Sequence, residues 1–186
     1  MDIFEYLMVM VAIILGLGVT QVLRGLSKIA RSDHPSSIVA TWAALLFILH
    51  VQLWWAFWDL GQVEQWTQVY FILLIVIPCA IFAMTELLLP MGSSPETDWQ
   101  AHFFSIRVWY FRLFLFFIVI ATLNTWVFLD TPLTHPYRIA QLLQMALALV
   151  GLYSTNLRTH RWLPAISIVA LLGGQLMFRL LPGLSS

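Results

Sequence analysis

Charged side chains are scarce in this sequence of 186 residues: nine Lys or Arg and nine Asp or Glu make up only 10% of it. An ordinary soluble domain has about 25% charged residues, and a protein this small needs many polar groups to cover its surface. Apolar residues instead reach 61%, with a mean hydropathy of +0.87. The lack of charge excludes a soluble globular domain. The zero net charge and the lack of basic runs exclude nucleic acid as a partner.

Cysteine and the common catalytic motifs are also missing. The single Cys79 excludes an internal disulfide. The sequence contains no Cys or His pair at zinc-ligand spacing, no Gly-x-Ser-x-Gly and no glycine-rich loop that could hold a phosphate. These absences predict no catalytic residues and no metal site, and they favour a protein that is not an enzyme.

The sequence does contain long apolar runs. A helix that crosses the hydrocarbon core of a bilayer needs about 20 apolar residues, and six stretches satisfy this requirement. We therefore predict an all-α, polytopic integral membrane protein: one domain, residues 1–186, forming a bundle of six transmembrane helices with short loops. The predicted spans are residues 3–26, 38–60, 66–89, 103–129, 137–157 and 162–181.

The basic residues predict the orientation of these spans. Seven of the nine Lys and Arg residues flank the odd-numbered loops, and only Arg138 and Arg179 lie on the other side. The positive-inside rule then places the odd loops in the cytoplasm and both termini outside it. Acidic residues, among them Glu5, precede the first apolar run, which is the reverse of a signal peptide, so this run is expected to stay as a helix. Short loops suit a bacterial inner membrane.

Small residues recur at helical spacing and predict close contacts between helices. They form two stripes in the first helix and one in the fifth, and such faces also favour a homo-oligomer. The first-helix stripes are Ala12, Gly16 and Thr20, and Gly18, Gln21 and Gly25; the fifth-helix stripe is Gln144, Ala148, Gly151 and Thr155.

Polar residues within the spans are candidate functional groups because they are costly in lipid. One set is expected near the centre of the bundle, and two interpretations of it stay open. It lines a narrow hydrated path between helices two, five and six, or it is a hydrogen-bonded core with no path. Its members are His50, Trp54, Asn124, Gln141, Gln144 and Gln175.

A haem at His50 is a further alternative, with a methionine as the second ligand, because no other histidine lies within a predicted span. No other cofactor is predicted.

Two further sets lie nearer the ends of the spans. Arg24, Glu86 and Arg112 are expected at the cytoplasmic side, either as ion pairs that set helix register or as a basic pocket for a lipid headgroup or anionic solute. Arg179 is expected to pair with Glu5 or Asp59 at the outer rim.

These features predict a small channel or transporter for a solute or ion, with membrane lipids and further copies of the chain as partners. The alternative is a non-catalytic accessory or scaffold subunit that binds another membrane protein or lipid. A haem or redox protein is the second alternative.

Overall fold

The computed structural model describes residues 3–63, 66–130, 132, 135 and 137–180, and this part of the chain is all-helical. The predicted all-α class is confirmed. The helices are α1 (Ile3–Ala30), α2 (Ser37–Trp58), α3 (Gln68–Leu88), α4 (Trp99–Leu129), α5 (Tyr137–Tyr153) and α6 (Leu157–Leu180), with a short 3₁₀ helix at Asp59–Gln62.

Four of the helices are long and apolar enough to cross a membrane. They contain the segments Phe4–Ala30, Ser37–Trp58, Gln68–Leu88 and Trp99–Phe128, with mean hydropathies between 1.7 and 2.5. Large apolar side chains such as Leu17, Trp55 and Val119 are about half exposed on their outer faces. This is the arrangement expected of helices that face lipid, and the chain is a membrane-embedded helical protein.

Local capping residues explain why two helices begin before the predicted spans. Asp98 accepts a hydrogen bond from the backbone N–H of Ala101 at 2.9 Å, so α4 begins at Trp99. Asn156 likewise accepts from the N–H of Arg158 at 2.9 Å, and α6 begins at Leu157. A side-chain oxygen just before a helix satisfies one of the free N–H groups of the first turn, and hydropathy does not report this interaction.

Hydrogen bonds place the odd-numbered connections at one end of the bundle. The N–H of Asp33, after α1, donates to the carbonyl of Pro95, before α4, at 3.2 Å. Ser32 Oγ donates to the same carbonyl at 3.0 Å. Arg107 joins the start of α4 to the end of α5 through the carbonyl of Leu152 at 2.7 Å. We call this the basic end, because seven of the nine Lys and Arg residues of the sequence flank these connections.

An aromatic cluster fills the interior towards the basic end. The Trp42 ring lies 5.4 Å from that of Tyr110 and 5.3 Å from that of Phe111, centroid to centroid, and all three side chains are fully buried. Edge-to-face pairs of this kind add about 0.5–1.5 kcal/mol each to the burial of the rings. Phe111 can reach its position because α5 has Gly151 there; a β-carbon at that residue would overlap the ring.

The two small-residue stripes of α1 face opposite ways. Gly18 lies against His50 of α2, and a β-carbon on Gly25 would lie 2.7 Å from Leu89. The stripe of Gly18, Gln21 and Gly25 therefore makes the predicted contacts between helices. In the other stripe Gly16 and Thr20 are exposed, and nothing in the described chain lies within 4 Å of a β-carbon built on Gly16. We call Ala12, Gly16 and Thr20 the outer stripe.

Candidate functional site

A cavity of about 160 Å³ lies between α2, α4, α5 and α6. Its wall is mostly apolar, and it extends to Leu60 and Phe128 at the end of the bundle opposite the basic end. Towards the basic end it stops at Phe114, which also packs against Trp42 at 6.1 Å between ring centroids. A dry cavity of about 150 Å³ can hold one benzene molecule. The space therefore suits a ligand about the size of one aromatic ring.

Two of the polar residues in the cavity wall are amides whose side-chain oxygens are buried. Asn124 Nδ2 donates to the carbonyls of Leu73 at 3.2 Å and Ile120 at 3.0 Å, and Gln144 Nε2 donates to the carbonyl of Ser167 at 2.7 Å. Both residues are only 7% exposed. Asn124 Oδ1 and Gln144 Oε1 are buried and have no hydrogen-bond partner among the described residues.

The two oxygens, which have no partner among the described residues, belong to side chains of the cavity wall and are themselves closed to solvent. A buried acceptor without a partner costs about 1–3 kcal/mol, and a ligand that donates to it removes that cost. A ligand with an O–H or N–H group that reached either oxygen would therefore bind more tightly than an apolar ligand of the same shape.

A buried cation adjoins the polar side of the cavity. Arg138 is 5% exposed, and its Nη1 donates to Gln141 Oε1 at 2.8 Å and to Thr125 Oγ1 at 2.6 Å; both of these residues line the cavity. It also donates to the carbonyl of Thr122 at 3.3 Å, in the last two turns of α4. A cation is favoured there because a helix C-terminus has unpaired carbonyls and a partial negative charge. Sequence reasoning missed Arg138 as a site residue, although its spacing of three from Gln141 places both on one helix face.

The structure brings together half of the predicted central set and separates the rest. Asn124, Gln141 and Gln144 all line the cavity, but His50 and Trp54 do not. His50 lies on the face of α2 that packs on α1, where its Nδ1 donates to the carbonyl of Leu46 at 2.8 Å. Trp54 is 50% exposed on the outer surface. The grouping of these two residues with helix five is corrected accordingly, and the side chain of Gln175 lies outside the described residues.

His50 does not fit the proposed role of haem ligand. Its Nε2 is packed against the backbone of α1 at Gly18, and its Nδ1 is taken by Leu46. Neither nitrogen faces a space that an iron atom could enter. The described part of the chain also holds no group of three or more His, Cys, Asp or Glu side chains that could bind a metal ion.

The residues expected to form cytoplasmic ion pairs point in different directions. Arg112 is exposed, with its guanidinium carbon 5.1 Å above the ring centre of Trp109 on the outer surface of α4. Arg24 lines a separate pocket with Lys28. Glu86 Oε1 is buried, and it has no hydrogen-bond partner in the part of the chain that the structure describes. The structure thus pairs Glu86 with neither arginine, because Arg112 faces outward and Arg24 lines a separate pocket.

The predicted outer-rim set falls largely outside the described residues. The side chains of Asp59 and Arg179 are not among them, and Glu5, near the start of α1, is not without an interaction partner.

A second group of hydrogen-bonded polar residues lies where α4, α5 and α6 meet, and the sequence did not indicate it. Arg107 Nη1 donates to the carbonyls of Gly151 at 3.2 Å, of Leu152 at 2.7 Å and of Ser154, which closes the C-terminal end of α5. His160, fully buried before the predicted sixth span, donates through Nε2 to the same Ser154 carbonyl at 2.8 Å. Burial lowers the pKa of His160, the Ser154 hydrogen bond raises it, and the nearby Arg107 lowers it further; the net shift is downward.

Comparison with known proteins finds no matching family model, no similar curated protein and no similar solved structure. The function is therefore argued from the geometry of the chain itself.

Proposed function

We propose that this chain is a six-pass membrane protein that binds a small, largely apolar molecule bearing an O–H or N–H group in the cavity between α2, α4, α5 and α6. The observation that carries the proposal is a pair of acceptors without a partner among the described residues, Asn124 Oδ1 and Gln144 Oε1, on residues of a mostly apolar wall. Binding sites for small molecules have this composition, with few polar groups among many apolar ones.

The same geometry favours a binding site over an open channel. The aromatic cluster around Trp42 and Phe111 fills the interior between the cavity and the basic end. His50, expected to lie on a conducting path, faces α1 instead. A ligand that enters from the opposite end would be held at the cavity, and transport would require the aromatic cluster to move.

The binding test uses 4-fluorophenol and 4-fluorotoluene, which have nearly the same shape but differ in one hydrogen-bond donor. We expect the ¹⁹F resonance of the phenol to shift with purified protein in detergent, well beyond its shift in empty micelles. Asn124→Leu and Gln144→Leu should each weaken phenol binding about fivefold to tenfold and leave the toluene nearly unaffected, since a lost neutral hydrogen bond is worth about 1 kcal/mol.

A cavity-filling variant locates the ligand. Ala121 lines the cavity, whereas Ala83 is exposed on α3. Ala121→Leu should abolish the protein-dependent shift, and Ala83→Leu, the matched control, should retain it. Equal binding by both variants, or no discrimination between phenol and toluene by the parent chain, contradicts the proposal.

The proposal also includes six membrane spans, because α5 and α6 form two walls of the cavity and are proposed to cross the membrane with the other four helices. The 17 residues of α5 extend about 26 Å, close to the thickness of the hydrocarbon core. Basic residues gather at the end with the odd connections, which supports a cytoplasmic basic end with both termini outside. The short loops suit a bacterial inner membrane.

The orientation is tested by labelling intact cells with a membrane-impermeant maleimide, in a Cys79→Ser background. Gly61 and Glu96 are both exposed and lie at opposite ends of the bundle. Gly61→Cys should be labelled and Glu96→Cys protected until the cells are permeabilised. The reverse pattern contradicts the orientation. Labelling of both positions in intact cells contradicts the prediction that successive connections lie on opposite sides of the membrane.

Self-association is the last part of the proposal. The outer stripe of α1 leaves its backbone open at Gly16, which would let a second copy approach closely. Its test is given in the Discussion.

A further inference from the structure

A second pocket, of about 170 Å³, lies at the basic end between α1 and the segment that follows α3. Arg24 and Lys28 line it from α1, together with Leu89, Pro90 and Met91 from that segment. Gly25 allows the close approach, because a β-carbon at that position would lie 2.7 Å from Leu89 Cδ1.

Hydrogen bonds from α1 fix the position of the segment that follows α3. Gln21 Nε2, in a buried side chain, donates to the carbonyl of Leu89. Lys28 Nζ donates to the carbonyl of Met91 at 2.6 Å and to Ser93 Oγ at 3.2 Å. The carbonyls of Leu89 and Met91 therefore already accept hydrogen bonds from α1. An ammonium group has three N–H donors, so Lys28 keeps one for a ligand.

Within the described part of the chain, Arg24 is the cation of this pocket that has no hydrogen-bond partner. It lies between Gln21 and Lys28 along α1, its side chain is exposed, and no acidic group is paired with it among residues that the structure describes. The surroundings do not neutralise it: seven Lys or Arg of the sequence flank the basic end, against the four acidic residues Asp33, Glu86, Glu96 and Asp98. Asp98 is already committed to the cap of α4.

We propose that this pocket binds the phosphate of an anionic phospholipid, with Arg24 and Lys28 on the phosphate oxygens and Pro90 and Met91 against the apolar part of the lipid. Guanidinium groups bind phosphate through two parallel N–H donors, and a lysine adds a point charge. The pocket lies where the first predicted span, 3–26, ends, which is headgroup depth.

The apolar lining favours a lipid over free phosphate as the source of that group. Met91 is 64% exposed beside the pocket, and Leu23, next to Arg24 in the chain, is 54% exposed. A free phosphate ion would gain nothing from these side chains, whereas the glycerol and the first methylene groups of a lipid would bury them.

The test measures binding of an acyl-labelled phosphatidylglycerol to the purified full chain in a neutral detergent, by fluorescence anisotropy. Arg24→Gln should weaken binding about fivefold or more, as expected when one basic contact to an anionic lipid is lost. Arg24→Lys should recover part of this loss. Arg112→Gln removes one charge from the outer surface of α4, outside the pocket, and should change affinity less than about twofold. Arg24 is exposed, and thermal unfolding will show that each variant is folded.

Two competitors identify the ligand. Unlabelled phosphatidylglycerol should displace the probe, and phosphatidylcholine should do so at least about fivefold less effectively, because its headgroup has no net charge. Equal losses of lipid affinity in Arg24→Gln and Arg112→Gln would overturn the assignment of the lipid site to this pocket. Full displacement by millimolar inorganic phosphate at constant ionic strength would overturn the lipid and assign the pocket to free phosphate. The site is at the opposite end from the cavity, so failure here leaves the proposed function standing.

Discussion

Nε2 of His50 lies against the backbone of Gly18, in the space that a β-carbon at position 18 would occupy. The two residues set how closely α1 and α2 pack. They also explain why His50 is buried in the bundle at 1% exposure: its ring fills the gap that the glycine leaves.

The first prediction follows from this contact. Gly18→Ala should lower the free energy of unfolding by about 1–3 kcal/mol, since a methyl group forced into a packed core displaces its neighbours. Gly16→Ala is the control, because nothing lies within 4 Å of a β-carbon there. Unfolding is measured by tryptophan fluorescence in detergent, and His50→Ala should restore part of the loss in Gly18→Ala. Similar values for the two glycine variants would disprove the contact.

Arg107 is predicted to stabilise the junction of α4, α5 and α6. Arg107→Gln removes a cation that donates to three carbonyls at the end of α5 and should cost about 1–3 kcal/mol. Arg112→Gln, five residues further along α4, should cost under about 1 kcal/mol, since Arg112 is exposed and its guanidinium lies over the Trp109 ring face. The same unfolding assay compares them, and a larger loss in Arg112→Gln would contradict this prediction.

His160 should make stability depend on pH. Its pKa is lowered from the ordinary value of 6.5, first because the ring is buried, so the folded chain binds a proton less readily than the unfolded chain. Its contribution is then complete above pH 6.5 and is lost as the pH falls from 6.5 towards the lower folded-state value.

The variants that isolate this effect are His160→Phe and His34→Phe. The His160 ring packs among Phe103, Phe104 and Phe111 at 5.3–5.7 Å between centroids, so a phenyl ring suits the site. Unfolding between pH 7.5 and 5 should show a smaller loss in His160→Phe than in the parent chain. His34 is exposed, and its variant should retain the full pH dependence; an unchanged slope in His160→Phe counts against the assignment.

Self-association through the outer stripe is predicted to be detectable by cross-linking. In a Cys79→Ser background, Thr20→Cys should form a disulfide-linked dimer in membranes on mild oxidation, because two copies packed on this stripe bring their Thr20 positions together. Trp126→Cys, exposed on α4, is the control and should stay monomeric. Gly16→Leu should abolish the Thr20→Cys dimer, and its persistence would move the interface elsewhere.

The candidate site was only partly predictable. Asn124, Gln141 and Gln144 were expected together because polar groups within apolar spans face the bundle interior and pair with one another. The structure places all three around one cavity. His50 was expected with them because it lies at a similar depth on a neighbouring helix. Depth is set by sequence position, but the direction in which a side chain faces depends on how its helix is rotated against its neighbours.

Composition and the apolar runs were enough to predict an all-helical, membrane-embedded chain, because lipid demands long apolar helices whatever their packing. The order of helices and the gathering of basic residues at one end also follow from the sequence. Tertiary structure alone decided which α1 stripe faces inward, that Arg138 adjoins the cavity, and that Arg24 and Lys28 share a pocket. These features depend on the rotation and closeness of helices, and those are decided by the fit of single side chains such as His50 on Gly18 and Phe111 on Gly151.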